Sequence, residues 1–308
     1  MIAENKFSKI VALWKEDKKQ YVKRSTFAAY TLLIENHILP SFGEMALVEE
    51  QDVQTFVFRK LNEGLSHKTI KDILIVLKMI LRFGVKNQMT EYRQIDIKFP
   101  TERDKHSIDI LSRSHQKQIM EYIRLHFTFK NLGIYICLSA GMRIGEICAL
   151  TWDDLDVENG IIHVRKTIQR IYVIEEHRKY TEVILDTPKT KNSIREIPMT
   201  KNLLKMIRPI KKIVNGNFYV LTNEPKPTEP RTYRNYYKQF MQSLSLPLMK
   251  FHGLRHSFAT RCIESKCDYK TVSVLLGHSN ISTTLNLYVH PNLEQKKRCI
   301  ERMQNALK

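Results

Sequence analysis

With 308 residues, 50 Lys+Arg and 32 Asp+Glu, the chain carries a formal charge of +18 at pH 7, a balance that points to a polyanionic partner, nucleic acid above all. No apolar run reaches the roughly 20 residues that a membrane helix needs, and the start, Met1-Ile2-Ala3-Glu4-Asn5-Lys6, lacks a signal-peptide core. A membrane or secreted protein is thereby disfavoured and a cytoplasmic one expected; the five cysteines (Cys137, Cys148, Cys262, Cys267, Cys299) are an odd set suited to reduced thiols.

The length suits two domains, and the first hundred residues read as helices only. Phe7, Ile10, Val11 and Trp14 recur at helical spacing, and a second helix starts near Ser25-Thr26, runs through Tyr30, Leu33 and Ile34, and should stop at Pro40. A third spans about Gln51 to Leu61 and ends at Gly64. In the fourth, Ser66 serves as cap and Ile70, Ile73, Leu74, Leu77 and Leu81 form one apolar stripe, with Lys68, Lys71, Lys78, Arg82 and Lys86 along the same helix. Read alone, the stripe is core and the basic residues are solvated face. From Tyr92 to Ser107 the periodicity stops, charges take over and Pro100 forbids a helix. The linker is placed at residues 101–108, between a helical domain over 1–100 and a second domain over 109–308.

In the second domain, Ser112 or Ser114 starts a helix through Ile119, Ile123 and Leu125. A buried helix through Leu132 to Leu138 is ended by Gly141, and Arg143-Ile144-Gly145-Glu146 opens another. Between Asp153 and Pro198 the apolar period becomes two, with β-branched runs at Ile161-Ile162, Val183-Ile184 and Ile197. That pattern predicts one small antiparallel sheet inset among helices, which resume near Lys201, around Arg231 to Leu244, and on toward the C terminus. The fold class is mainly α with a small antiparallel β-sheet.

Histidines, an arginine and a tyrosine then recur at spacings that core packing does not demand: His252-Gly253-Leu254-Arg255-His256, Leu276-Gly277-His278-Ser279 and Leu287-Tyr288-Val289-His290. Upstream stand Ala140-Gly141-Met142-Arg143-Ile144-Gly145-Glu146, and Pro188-Lys189-Thr190-Lys191 leading into Arg195-Glu196-Ile197-Pro198. Together these stretches resemble the signature of the tyrosine recombinases, the phage-integrase family of site-specific DNA strand-exchange enzymes, and look most like integrases of phages and conjugative transposons. The resemblance implies Arg143, Lys189, His252, Arg255 and His278 as catalytic residues, Tyr288 as nucleophile and Glu146 as a supporting group, with Lys191 as the alternative to Lys189. It implies a helical, SAM-like core-binding domain ahead of an α+β catalytic domain, and DNA contact by Lys68, Lys71, Lys78 and Arg82. A nucleoid-associated homotetramer on double-stranded DNA follows by the same resemblance, its tail 293–308 docking on a neighbouring protomer, with an excisionase or DNA-bending protein as accessory.

The residue types fit that chemistry. Attack on a phosphodiester needs its non-bridging oxygens neutralised, and guanidinium groups stay charged and can fork onto two oxygens, so no metal, ATP or other cofactor is called for. Histidines add donors that can also move a proton. A tyrosine phenol titrates near 10, so it needs a base or a cationic surround to attack at neutral pH, and its 3′-phosphotyrosyl ester keeps the bond energy for rejoining. Lysine is a suitable acid for the departing 5′-hydroxyl.

Three other readings compete. His252 and His256, four residues apart with Cys262 and Cys267 nearby, have a zinc-like spacing, but Gly253 stands where a His-Glu-x-x-His hydrolase needs glutamate. A non-catalytic DNA-binding regulator would not need all six catalytic types. A type IB topoisomerase shares the phosphotyrosine step but relaxes DNA in place of exchanging strands.

Overall fold

The computed structural model describes residues 6–92, 94–101, 109–175, 178–188, 191–288 and 293–307. Its contacts divide the chain into two units, one of residues 1–105 with 171–182, the other of 106–170 with 183–308. Among the described residues no helix is long and apolar enough to cross a membrane.

In the first unit, α1 (Phe7–Lys19), α2 (Arg24–Leu33), α3 (Leu39–Phe42), α4 (Glu50–Asn62) and α5 (His67–Lys86) surround a core that includes Phe7, Trp14, Ile34, Phe42, Phe56, Ile70, Ile73 and Leu77. Ser66 caps α5, its hydroxyl accepting from the Thr69 amide at 3.2 Å. The expected stop at Pro40 does not occur. Between α2 and α3 lies a π-helical turn, Ile34–Ile38, in which the Leu39 amide bonds the Ile34 carbonyl five residues back. The widened turn takes Pro40 out of the regular i→i−4 ladder, so its missing N–H breaks nothing, and the helical path ends at Gly43. Residues 94–101 have neither helix nor strand, yet Ile95, Ile97 and Phe99 pack on this core. Their backbone is bound at Lys98 by both ends of the Gln54 amide and at Asp96 by Glu50. Most of the expected linker, from residue 102 to 108, lies outside the described residues.

The second unit is built on α7 (Phe129–Ala140), buried on nearly every side, with α6 (Arg113–Leu125) against it; Ser112, not Ser114, caps α6. Next in the chain come α8 (Ile144–Ala149), β1 (Leu155–Asp156), β2 (Ile161–Val164), β3 (Thr167–Glu175), β4 (Arg178–Asp186) and β5 (Arg195–Pro198), of which residues 171–175 of β3 and 178–182 of β4 count with the first unit. The single sheet expected from the period is in fact two. β1, β2 and β5 form an antiparallel sheet with Ile162 opposite Ile197, and β3 and β4 pair separately as a ribbon. Ile162 and Ile197 are buried, whereas Val183 and Leu185 on β4 are exposed: alternation marks a strand without saying whether its apolar face is covered. Helices α9 (Lys201–Lys211), α10 (Pro230–Ser243), α11 (His252–Glu264), α12 (Tyr269–Leu276), α13 (Ile281–Tyr288) and α14 (Leu293–Asn305) complete the unit.

Candidate active site

Two helix ends hold the site's arginines. The last carbonyls of an α-helix have no partner within it and form the negative end of its dipole, so they attract guanidinium groups. α7 ends at Gly141 and α12 at Gly277, each left-handed with φ of 63° and 65°. Arg255, on α11, donates to the Gly141 carbonyl at 2.8 Å and to the Leu276 carbonyl at 2.6 Å. Arg143 donates to the Gly277 carbonyl at 3.0 Å. Glycine is required at both ends for conformation, and at Gly141 also for space, since a Cβ would lie 2.4 Å from the Phe258 ring.

Glu146 ties this frame together. It is 3% exposed, accepts from the Arg143 amide and guanidinium, both at 2.8 Å, and takes a two-pronged pair from Arg195 at 3.1 and 2.9 Å. Burial alone would raise its carboxyl pKa; Arg195 and then Arg143 outweigh burial and hold it below the ordinary range. Arg195 also donates to the Leu275 and Ser193 carbonyls. Strand alternation on β5 turns Arg195 and Ile197 to the buried face, which places the cation under the site.

Arg255 is 1% exposed, and its Nε has no hydrogen-bond partner among the described residues. Burial, then the like charge of Arg143, draws its pKa to about 9, still above neutrality, so the group remains a cation. His278 bonds Thr284 Oγ1 through Nδ1 at 2.8 Å, and burial followed by Arg255 and Arg143 pushes it down to about 4. His252, exposed overall, stands edge-on to His256 with ring centroids 4.6 Å apart, and its pKa is likewise depressed, first by burial and then by His256. Tyr288 closes α13, half-buried against the small cluster of Ala259, Val272 and Leu276. Burial raises its phenol to about 12 against the pull of Arg255, and its hydroxyl lies 2.5 Å from His256 Nδ1.

Of the expected residues, Arg143, Glu146, His252, Arg255, His278 and Tyr288 therefore share one locality of the second unit. Lys189 lies outside the described residues, and Lys191 begins a short 3₁₀ turn, Lys191–Ser193, just before β5. On α5, Lys68, Lys71 and Arg82 are exposed, whereas Lys78 is half-buried and donates to the Ile95 carbonyl at 3.0 Å. Lys71 also stands over the Phe99 ring, 5.2 Å from its centre. Sequence reasoning gave no role to Arg195, although an arginine at a core-facing strand position asks for a buried carboxylate. It placed His256 only in a zinc pattern, although i, i+4 from His252 already puts the two rings on one face of α11.

Residues 110–295 match the family model described as the phage integrase family, and residues 6–60 match the phage integrase N-terminal SAM-like domain. The chain thus belongs to the phage integrase family, the tyrosine recombinases. It is 31% identical over 309 residues to a XerC-like tyrosine recombinase of Caldanaerobacter subterraneus, covering 92% of this chain and 78% of that protein. To the ICEBs1 integrase of Bacillus subtilis it is 24% identical over 298 residues, covering 89% and 76% respectively. The fold is that of the Tn1549 transposon integrase in complex with transposon right end DNA, with a TM-score of 0.79, 23% identity and coverage of 97% of this chain and 100% of that one.

Proposed function

We propose that the protein is the integrase of a mobile DNA element, which cuts and rejoins double-stranded DNA through a 3′-phosphotyrosine on Tyr288 without metal or ATP. The observation that carries this reading is the gathering of two guanidinium groups, three imidazoles and one half-buried phenol around the ends of α7 and α12. Arg143 and Arg255 neutralise the non-bridging oxygens. His252 and His278, neutral at pH 7, donate hydrogen bonds without adding charge, and Lys189 protonates the departing 5′-oxygen. Because the guanidiniums are fixed before DNA arrives, little reorganisation is left for the transition state.

The domain assignment belongs to the same proposal: residues 1–100 grip the duplex as the core-binding domain, with Lys68, Lys71 and Arg82 facing phosphate, and 109–308 carry the chemistry. Residues 293–308 dock on a neighbouring protomer of a homotetramer, for which Ile300, Met303 and Leu307 present exposed apolar surface. The test uses a nicked duplex whose sequence is selected from a random pool for binding to the protein. With EDTA present and no nucleotide, the wild type forms a covalent adduct that peptide mapping assigns to Tyr288, and Tyr288→Phe forms none. An adduct at another residue, or cleavage that requires a divalent ion, overturns the reading.

A further inference from the structure

Six catalytic positions leave one step unassigned: removal of the phenol proton. A buried phenol at about 12 holds its proton at neutral pH, so attack needs a base within hydrogen-bond reach of the hydroxyl. His278 has Nδ1 engaged with Thr284, and His252 meets the edge of another imidazole. The group on the hydroxyl is His256, 2.5 Å away through Nδ1, with its ring tilted 54° to the phenol and centroids 5.5 Å apart. It is placed by α11, which delivers Arg255 inward and, one residue later, His256 toward the end of α13.

Resting on the recombinase reading above, we infer that His256 is a further catalytic residue, the base that takes the Tyr288 proton on strand cleavage and returns it on rejoining. With Nδ1 unprotonated, the Tyr288 O–H bond breaks as its oxygen bonds phosphorus; the proton goes to Nδ1, and the bond from phosphorus to the 5′-oxygen breaks, that oxygen being protonated by Lys189. Rejoining runs the same transfers backwards, with the His256 imidazolium supplying the phenolate leaving group with its proton. The charged and titratable groups that act on His256 support a neutral resting state. Burial and Arg255 lower its pKa, while Asp109, on the segment before α6, raises it; His252 on its own helix is neutral, and so is Tyr288 on α13.

The test separates the base from the acid and from the fold. Cleavage of the nicked duplex is timed for wild type and His256→Gln, which keeps a polar group near the phenol but cannot take a proton. Each is measured on ordinary DNA and on DNA with sulfur replacing the scissile 5′-oxygen, then again with a fluorinated, more acidic tyrosine at position 288. His256→Gln is expected to be about a hundredfold slower or more, with DNA affinity within about twofold of wild type. The defect should persist with the sulfur leaving group, which needs no acid, and shrink at least about tenfold with the more acidic phenol. An unchanged rate overturns the inference, as do a faster one, which would make His256 a latch, and a defect cured by sulfur or indifferent to phenol acidity. Should His256→Gln not fold, the native protein decides on the sulfur substrate: the rate must level off above a midpoint below 6.5 that stays put when position 288 is fluorinated. A midpoint that follows the phenol sinks the inference. Absence of any adduct in the wild type is a different result and condemns the recombinase reading itself.

Discussion

Glu146 is the residue on which the cationic frame depends. A carboxylate 3% exposed costs free energy unless its lone pairs are occupied, and here four N–H groups from Arg143 and Arg195 occupy them. Removing its charge leaves two guanidiniums facing each other in a buried space. Glu146→Gln should cost about 3 kcal/mol of stability, in the range for breaking a buried ion pair. It should slow cleavage as well, because Arg143, 35% exposed, loses the partner that fixes its orientation. Urea unfolding beside covalent-adduct kinetics checks both, and a variant of native stability would show that the frame stands without its anion. The glycines illustrate the same dependence: at Gly141 and Gly277 the left-handed turn that ends a helix is also what aims a carbonyl at an arginine.

At the scale of elements, β5 does more than complete a sheet. Through Arg195 it ties the strand that follows residues 189–190 to α8, via Glu146, and to the end of α12, via the Leu275 carbonyl. Arg195→Lys keeps the charge, but a single ammonium cannot make the fork to Glu146 and reach two carbonyls as well. The expected outcome is cleavage slowed about tenfold or more with DNA affinity within about twofold, measured on the selected duplex; equal loss of both would make Arg195 a binding residue instead. Much of this architecture was legible in the chain. Stripes of period 3.6 gave α5 and α6, a continuous apolar run gave α7, Ser66 and Gly141 gave two of the ends, and the motif around Arg255 gave the local grouping. What escaped were interactions between distant segments: the π turn that admits Pro40, the packing of Ile95, Ile97 and Phe99, and the separation of the β3–β4 ribbon from the sheet. Each depends on which surface a neighbour covers, and neither period nor propensity carries that information. Arg195 and His256 escaped for a related reason, since their partners lie 49 and 32 residues away.

For the molecule as a whole, packing several basic groups and imidazoles into one locality makes the second unit sensitive to acid. His278 titrates near 6.5 when exposed and at about 4 in the folded chain, because burial, Arg255 and Arg143 disfavour a further cation there. Between those values the unfolded chain binds a proton that the folded one refuses, so stability rises with pH across the window and falls as pH drops through it. His252 and His256 act with the same sign. Glu146, held below its ordinary range, adds its loss only below about 4.5, which leaves the span from about 6.5 to 4.5 to the histidines. Of the two tryptophans, Trp152 is fully buried in the second unit, and replacing Trp14 by Phe leaves it as the reporter of that unit's unfolding. In that background the urea midpoint should be lower at pH 5 than at pH 7, and His278→Asn should reduce the difference. Equal midpoints at the two pH values would mean that the imidazoles accept protons in the folded state as readily as in water, and the neutral donors invoked for phosphate binding would then be cations.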